Sequence, residues 1–323
     1  MSMSRRQFAG ILGASALSCV APPSLAQDKT LRILLGYTAG GAVDTVARTV
    51  ADGLRSSGYN AIIENKAGAS GRLALEALIS APADGTALLM TPMGNLTLYP
   101  HVFKNLRYDS LKQFAGVNTV CTMSFALAVG ANSPARTLGQ FLDMARKDSS
   151  LAAYGTPGAG TAMHFIGQLL AKGGQVPLTH VAYKGGSAAV TDAIGGILPA
   201  VITTLPNLLP MHRAGKLRIL AISDDTPLAT LPGVPTFKSA GFPELVVNES
   251  FALFARSGTP TATIAQISQA IGQAVKSSKI TAQLEQQEYL PRTTTPEALD
   301  RQLREEHARW GQIVKTAGYT PED

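Results

Sequence analysis

The amino-acid sequence predicts an α/β fold of two lobes, joined by two crossing segments and enclosing a ligand cleft. Three observations carry this. An apolar strand, a glycine turn and an amphipathic helix follow one another repeatedly, the pattern of a parallel sheet covered by helices. Two long apolar stretches without helical punctuation, residues 117–129 and 245–255, bracket the middle of the chain. The 323 residues are 45% hydrophobic and 15% charged, with 31 glycines and 19 prolines, enough for two cores and many tight turns.

The first unit occupies residues 31–54. An apolar strand ends at Gly36-Tyr37, Thr38-Ala39-Gly40-Gly41 make a turn, and Val43, Val46, Ala47, Val50 and Leu54 recur at helical spacing. Such a turn aims free backbone N–H groups and the positive end of a helix into one space, which suits an anion. Neither GxGxxG nor GK[ST] is present, so a nucleotide phosphate is not specified. The arrangement repeats at strand 60–64, turn Gly68-Ala69-Ser70-Gly71 and a helix with Leu73, Ala77 and Leu78. A third strand runs through 86–91 and ends at Thr91.

Beyond the first crossing stretch, Thr137-Leu138-Gly139-Gln140 is a capping-box pattern for a helix that turns Leu138, Phe141, Leu142 and Ala145 inward. The densest turn follows: Thr156, Pro157, Gly158, Ala159, Gly160 and Thr161, opening a helix that carries His164 in its first turn. Strand 179–183 ends at Tyr183 and runs into Lys184-Gly185-Gly186-Ser187; strands 199–204 and 217–223 complete the second half. Prolines 227, 232, 235 and 243 mark an irregular passage. Thr259-Pro260 and Thr295-Pro296-Glu297 read as starts of the last helices, a cap followed by proline. The division this implies is lobe 1 from 27–121 and 252–323, and lobe 2 from 122–251.

Residues 1–26 stand apart. Arg5-Arg6, an apolar segment and the small-residue site Ser24-Leu25-Ala26 form a twin-arginine-like export signal, cleaved near Ala26. Its removal takes Cys19 and leaves Cys121 alone, so no internal disulfide forms, and Cys121 reads as a buried, inert thiol. The net charge of +6 comes without a basic run interleaved with aromatics. This argues against a nucleic-acid partner and fits mild attraction of anionic small molecules. There is no GxSxG, HExxH or P-loop, and the five histidines have no i, i+4 pair. A binding protein without cofactor, metal or catalysis explains a glycine-rich polar cleft with fewer assumptions than an enzyme. Asp44 has two open readings: it favours its helix dipole, or it meets the ligand. His164 reads first as a buried structural histidine, and Lys184 as a solvated or anion-pairing cation.

The ordered set GYTAGGAVDTVAR, ENKAGASG, PADGTALLMT, YGTPGAGTAMH, THVAYKGG, AGKLRILAIS and LPGVPTFKSAGFP resembles the tripartite tricarboxylate transporter substrate-receptor family, the Bug or TctC-like proteins, over essentially the whole mature chain. The resemblance implies a type II periplasmic-binding-protein fold and a monomeric periplasmic receptor. Its ligand would be a small organic acid, a mono- or dicarboxylate with aromatic acids included, delivered to an inner-membrane permease pair. A receptor presenting the same ligand to a membrane sensor kinase remains the alternative. It also implies a carboxylate held by backbone and hydroxyl groups of Tyr37, Thr38, Ala39, Gly40, Gly41 and Asp44, of Gly68, Ala69, Ser70 and Gly71, and of Thr91. The second lobe would add Thr156, Pro157, Gly158, Ala159, Gly160, Thr161 and His164, then Tyr183, Lys184, Thr203 and Thr204. The chain departs from the family pattern at Ala182, at Thr203-Thr204 in place of an acid and an amide, at Ser250 in place of tryptophan, and at Arg256 in place of proline.

Overall fold

The computed structural model describes residues 29–183 and 185–321. The expected export signal and Lys184 lie outside the described residues. From the amino end, β1 (Lys29–Leu35), α1 (Ala42–Leu54), β2 (Tyr59–Asn65), α2 (Arg72–Ser80) and β3 (Ala87–Pro92) form the first α/β unit. Short helices α3 (Gly94–Thr97) and α4 (Tyr99–Val102) lead to β4 (Phe114–Gly130). The second unit is α5 (Leu138–Lys147), β5 (Ala153–Thr156), α6 (Ala162–Gly174), β6 (Thr179–Ala182), α7 (Gly186–Ile194), β7 (Ala200–Thr204), α8 (Leu205–Arg213) and β8 (Leu217–Ile222). The chain returns through β9 (Asn248–Arg256) to α9 (Thr261–Lys276), α10 (Ser278–Gln286), β10 (Leu290–Pro291) and α11 (Pro296–Ala317).

The two-lobed α/β architecture read from the sequence is present, and β4 makes it continuous. Its 17 residues, about 56 Å at strand rise, pair with β9 over Phe114–Ser124 and with β7 and β8 over Phe125–Gly130. Register shifts at Gly116/Asn118, Thr119/Cys121 and Leu127/Ala128 bend it, as bulges do. The sheet therefore runs β2-β1-β3-β9-β4-β7-β5-β6, with β8 and β10 also on β4. Pairs β1–β2, β1–β3, β5–β6 and β5–β7 are parallel, so the turns after β1, β2, β5 and β6 all leave carboxyl ends of strands.

Each lobe has its own core. On one face of the first, Ile33, Leu35, Met90 and Leu253 pack against Val46, Val50, Ile267 and Ile271. On its other face Leu34, Leu89 and Phe254 meet Leu75, Leu78, Leu299 and Leu303. The second lobe buries Phe125, Leu127, Phe141, Tyr154, Phe165 and Phe237 together. Helix α11 belongs to both: Leu299 and Leu303 sit in the first core, whereas Trp310 and Val314 sit with Phe165 in the second. Leu98, Tyr99 and Val102 of the α3–α4 segment are also inserted into that second core.

Thr137 and Thr295 cap their helices through the hydroxyl, accepting from Gln140 N–H and Ala298 N–H. Thr259 does not; its hydroxyl donates back to the Arg256 carbonyl, and Pro260 occupies the cap position. The second crossing strand starts later than its apolar run, because residues 243–245 close a single 3₁₀ turn first.

Ser223 ties the two crossing segments together. Its hydroxyl accepts from Phe125 N–H (2.9 Å) and donates to the Val247 carbonyl (2.5 Å), while Val247 N–H returns to the Ser223 carbonyl (3.1 Å). Beside it the Ser124 hydroxyl donates to the Asp224 carboxyl. Removing the Ser223 hydroxyl leaves two buried backbone groups unpaired at about 1–3 kcal/mol. Ser223→Ala is expected to lower the unfolding free energy by that amount, moving the denaturation midpoint without changing the slope m; a neutral result in equilibrium urea unfolding contradicts the tie.

Candidate functional site

The first jaw is the turn after β1. Gly40 takes φ +79°, and Thr38, Ala39 and Gly40 are exposed while Gly41 is half-buried. Asp44 is 2% exposed. Its carboxylate accepts from Gly40 N–H (2.9 Å), Asn65 Nδ2 (2.9 Å) and Arg48 Nε and Nη2 (2.8 and 3.1 Å). Burial pushes its pKa up, but the Arg48, Gly40 and Asn65 bonds prevail and hold it below the usual range. Asp44 is thus spent on the protein: it braces the turn against α1 and β2. Asn65 also donates to the Tyr37 carbonyl (3.0 Å), so the two loops of lobe 1 share a support.

The second jaw is strained. Gly68, Ala69, Ser70 and Gly71 have consecutive positive φ angles of 142°, 46°, 55° and 94°. For Ala69 and Ser70 this costs on the order of 1 kcal/mol each. The surroundings over-determine it. The Ser70 carbonyl accepts from Tyr99 Oη (3.0 Å) and Asn95 Nδ2 (3.5 Å), and the Ala69 carbonyl from Arg72 Nε (2.9 Å). Tyr37 Oη donates to Asn95 Oδ1 (3.1 Å). A Cβ on Gly36 would lie 2.3 Å from the Gly71 carbonyl oxygen, so the two turns touch backbone to backbone. Among the described residues, no protein acceptor takes the N–H groups of Thr38, Ala39, Ala69 or Ser70.

In lobe 2 the turn 156–161 is held by its own hydroxyls. Thr156 is fully buried, and its Oγ1 donates to the Gly158 carbonyl (2.9 Å). That leaves Oγ1 as acceptor toward His180 Nε2 (2.7 Å), which fixes the proton on Nε2. Thr161 Oγ1 donates to the Gly158 carbonyl (2.8 Å) and caps α6. Pro157, Gly158 and Ala159 are half-buried along the turn. His164 faces inward, 6% exposed; its Nδ1 accepts from Gly160 N–H (3.2 Å) and its Nε2 meets the Gln168 amide (3.1 Å). Its ring stacks on His180 with centroids 3.8 Å apart. Both ring nitrogens of His164 have protein partners, and the residue supports the turn.

Tyr183 N–H donates to the Thr156 carbonyl (2.9 Å), but its hydroxyl turns to Asp192 (2.7 Å). Thr203 is fully buried, its Oγ1 accepting from Asn207 Nδ2 (3.3 Å), and a Cβ on Gly186 would lie 2.6 Å from that Oγ1. Thr91 Oγ1 and Thr204 Oγ1 are buried without a partner. The lobes meet through Phe103: the Arg72 guanidinium lies 4.2 Å from its ring centroid, and a Cβ on Gly160 would sit 3.4 Å from its ring.

Three residues of the site escaped sequence reasoning: Asn95 and Tyr99, which pin Ser70, and Glu249. The only local signal was Gly94-Asn95 at the carboxyl end of the third strand. Glu249, half-buried on β9, accepts from Gly94 N–H (3.3 Å) and Ser250 N–H (3.0 Å). Cys121 is buried and its thiol is pushed up by burial, as befits an inert group. No group of three metal-ligating side chains occurs among the described residues.

Two α/β lobes on a shared sheet, each with glycine turns at strand carboxyl ends, define the class of two-lobed periplasmic binding proteins. Residues 46–319 match the family described as tripartite tricarboxylate transporter family receptor, and the chain belongs to that family. It is 33% identical to the UPF0065 protein in the gbd 5′ region of Cupriavidus necator, over 84% of this chain and 85% of that one. Among solved structures it is similar to R. palustris Rpa4515 with adipate (27% identity, TM-score 0.83, 91% of this chain and 98% of that one). It is also similar to MatC from Rhodopseudomonas palustris with bound malate (26%, 0.81, 88% and 98%). The family is one of binding receptors and not enzymes. No described helix is long and apolar enough to cross a membrane.

Burial pushes the Glu249 carboxyl up to about 8, with Glu306 adding to it and the N–H groups of Ser250, Gly94 and Met93 opposing. From the ordinary 4.5 to about 8 the unfolded chain ionises first, so stability is lost as pH rises through that window. Glu249→Gln is expected to flatten the fall of the melting temperature between about pH 5 and pH 9; an unchanged profile in thermal unfolding contradicts this.

Proposed function

We propose that this receptor captures a small organic carboxylate, mono- or dicarboxylic, in the cleft between its lobes and delivers it to the membrane permease pair of a tripartite transporter. The observation that carries the reading is the strained turn Gly68–Gly71, whose Gly71 lies against Gly36 just ahead of the turn at Thr38–Gly41. Adjacent parallel strands about 5 Å apart present the unclaimed N–H groups of Thr38, Ala39, Ala69 and Ser70, and the bonds to Ser70 keep them in place before ligand arrives. Such donors hold a carboxylate without an arginine clamp, and pre-paid ordering raises affinity. Adipate and malate in the two similar receptors support this ligand class.

In this reading Asp44 and His164 position their loops, and the turn Thr156–Thr161, with Tyr183, Lys184, Thr203 and Thr204, faces the ligand from lobe 2. Thr91 and Thr204 supply spare hydroxyls for ordered water. The protein works as a monomer in the periplasm after cleavage near Ala26, with lobes 27–121 plus 252–323 and 122–251 closing on the ligand. The absence of an acidic side chain at Thr203-Thr204 favours a plain carboxylate over an ammonium-bearing acid in this cleft.

A thermal-shift screen of the mature protein over mono-, di- and tricarboxylates, malate and adipate included, should give saturable stabilisation by at least one acid. If none stabilises it, or only nucleotides do, the reading fails. Tyr99→Phe removes one hydrogen bond from the Ser70 carbonyl and is expected to weaken that acid about tenfold; isothermal titration calorimetry that finds equal affinity refutes pre-organisation by this contact.

A further inference from the structure

A second pocket, of about 170 Å³, lies between the crossing strands and the carboxyl half of α11, and it shares no residue with the glycine turns. Its volume is several times the ~30 Å³ share of a water molecule. Thr122 of β4 and Ser250 of β9 are register partners, and both line it. Ser250 is only 5% exposed, and among the described residues neither side-chain hydroxyl has a hydrogen-bond partner. Trp310 and Ile313 form an apolar wall.

The charges are unusual. Glu306 accepts one bond, from Gln302 Nε2 (2.7 Å), and makes no ion pair within 4.0 Å. Arg292 and Arg309 line the same pocket and also lack an ion pair; Arg309 donates to the Val246 carbonyl (2.6 Å). Burial raises the Glu306 pKa, which the Gln302 bond and then the two guanidiniums only partly offset. Charges of both signs thus line one pocket without pairing, Glu306 half-buried and the two arginines exposed at its rim.

A ligand that engages every charged side chain lining this pocket carries both signs. A simple carboxylate would serve the guanidiniums but set a further acidic group beside Glu306. A simple amine would serve Glu306 and leave the arginines unmet. We propose that the pocket behind the crossing strands is a second binding site, for a small free α-amino acid: its ammonium on Glu306, its carboxylate on Arg292 and Arg309, and its polar atoms on the Thr122 and Ser250 hydroxyls. The aliphatic part rests on Trp310 and Ile313. This goes beyond the carboxylate cleft and does not depend on it.

Titration calorimetry of the full mature protein with glycine, L-alanine and L-serine, and with acetate and methylamine as single-charge controls, tests the site. At least one amino acid should bind and both controls should not. Ser250→Trp fills the space and should abolish that binding; Glu306→Gln and Thr122→Val should weaken it tenfold or more even if the tryptophan variant does not fold. The Tyr99→Phe variant should leave it unchanged. The proposal is overturned if no amino acid binds at millimolar concentration, if the controls bind equally, or if Glu306→Gln and Thr122→Val bind as the wild type does. Loss in Tyr99→Phe with retention in Glu306→Gln also overturns it, by assigning the amino acid to the cleft.

Discussion

The shared strand β4 is the constraint on which the architecture rests. A strand that pairs with β9 in one half and with β7 and β8 in the other cannot be shortened without parting the lobes. Backbone hydrogen bonding is cooperative along such a ladder, so the crossing is stiff in its own plane and yields at its bulges. Ser223 then fixes where the return segment passes, and α11 lies along the back with one end in each core. A movement of one lobe against the other must bend these three elements together.

Rigidity at the crossing lets the cleft carry strain. Four successive residues in left-handed or mirror-extended backbone would not persist as an isolated loop. They persist because Tyr99 and Asn95 come from a segment that is itself locked into the second lobe's core through Leu98, Tyr99 and Val102. The second jaw is therefore held from the other lobe's side of the molecule. Asp44 solves the same problem for the first jaw by a different route, a carboxylate saturated by one backbone and three side-chain nitrogens.

Much of the fold was legible because it is local. Strand–turn–helix units announce themselves through periodicity and glycine, and the Thr137 and Thr295 caps through residue type at fixed spacing. The two crossing segments were legible as unbroken apolar runs, since strands buried on both faces have no polar side to show. The glycine turns at the strand ends were visible through residue type alone. What stayed hidden depends on partners distant in sequence. Nothing near Ser70 says that Tyr99 will hold its carbonyl, and nothing near His164 says that His180 will stack on it. Helix α11 reads as one amphipathic stripe, yet its two ends serve different cores, and a periodicity cannot say which core receives which turn. Glu249 was invisible because a lone acid in an apolar run looks the same whether it meets solvent or a buried N–H.

The stacked imidazoles under the second lobe's turn carry a last implication. Burial, reinforced by His164, depresses the His180 pKa to about 4, and its Nε2 proton is already committed to Thr156. The turn thus rests on an imidazole, His180, that stays neutral across the mildly acidic to neutral range. Over that range the His180 bond to Thr156 needs no change of protonation. A side-chain type that elsewhere is the usual means of sensing protons serves here as a fixed support.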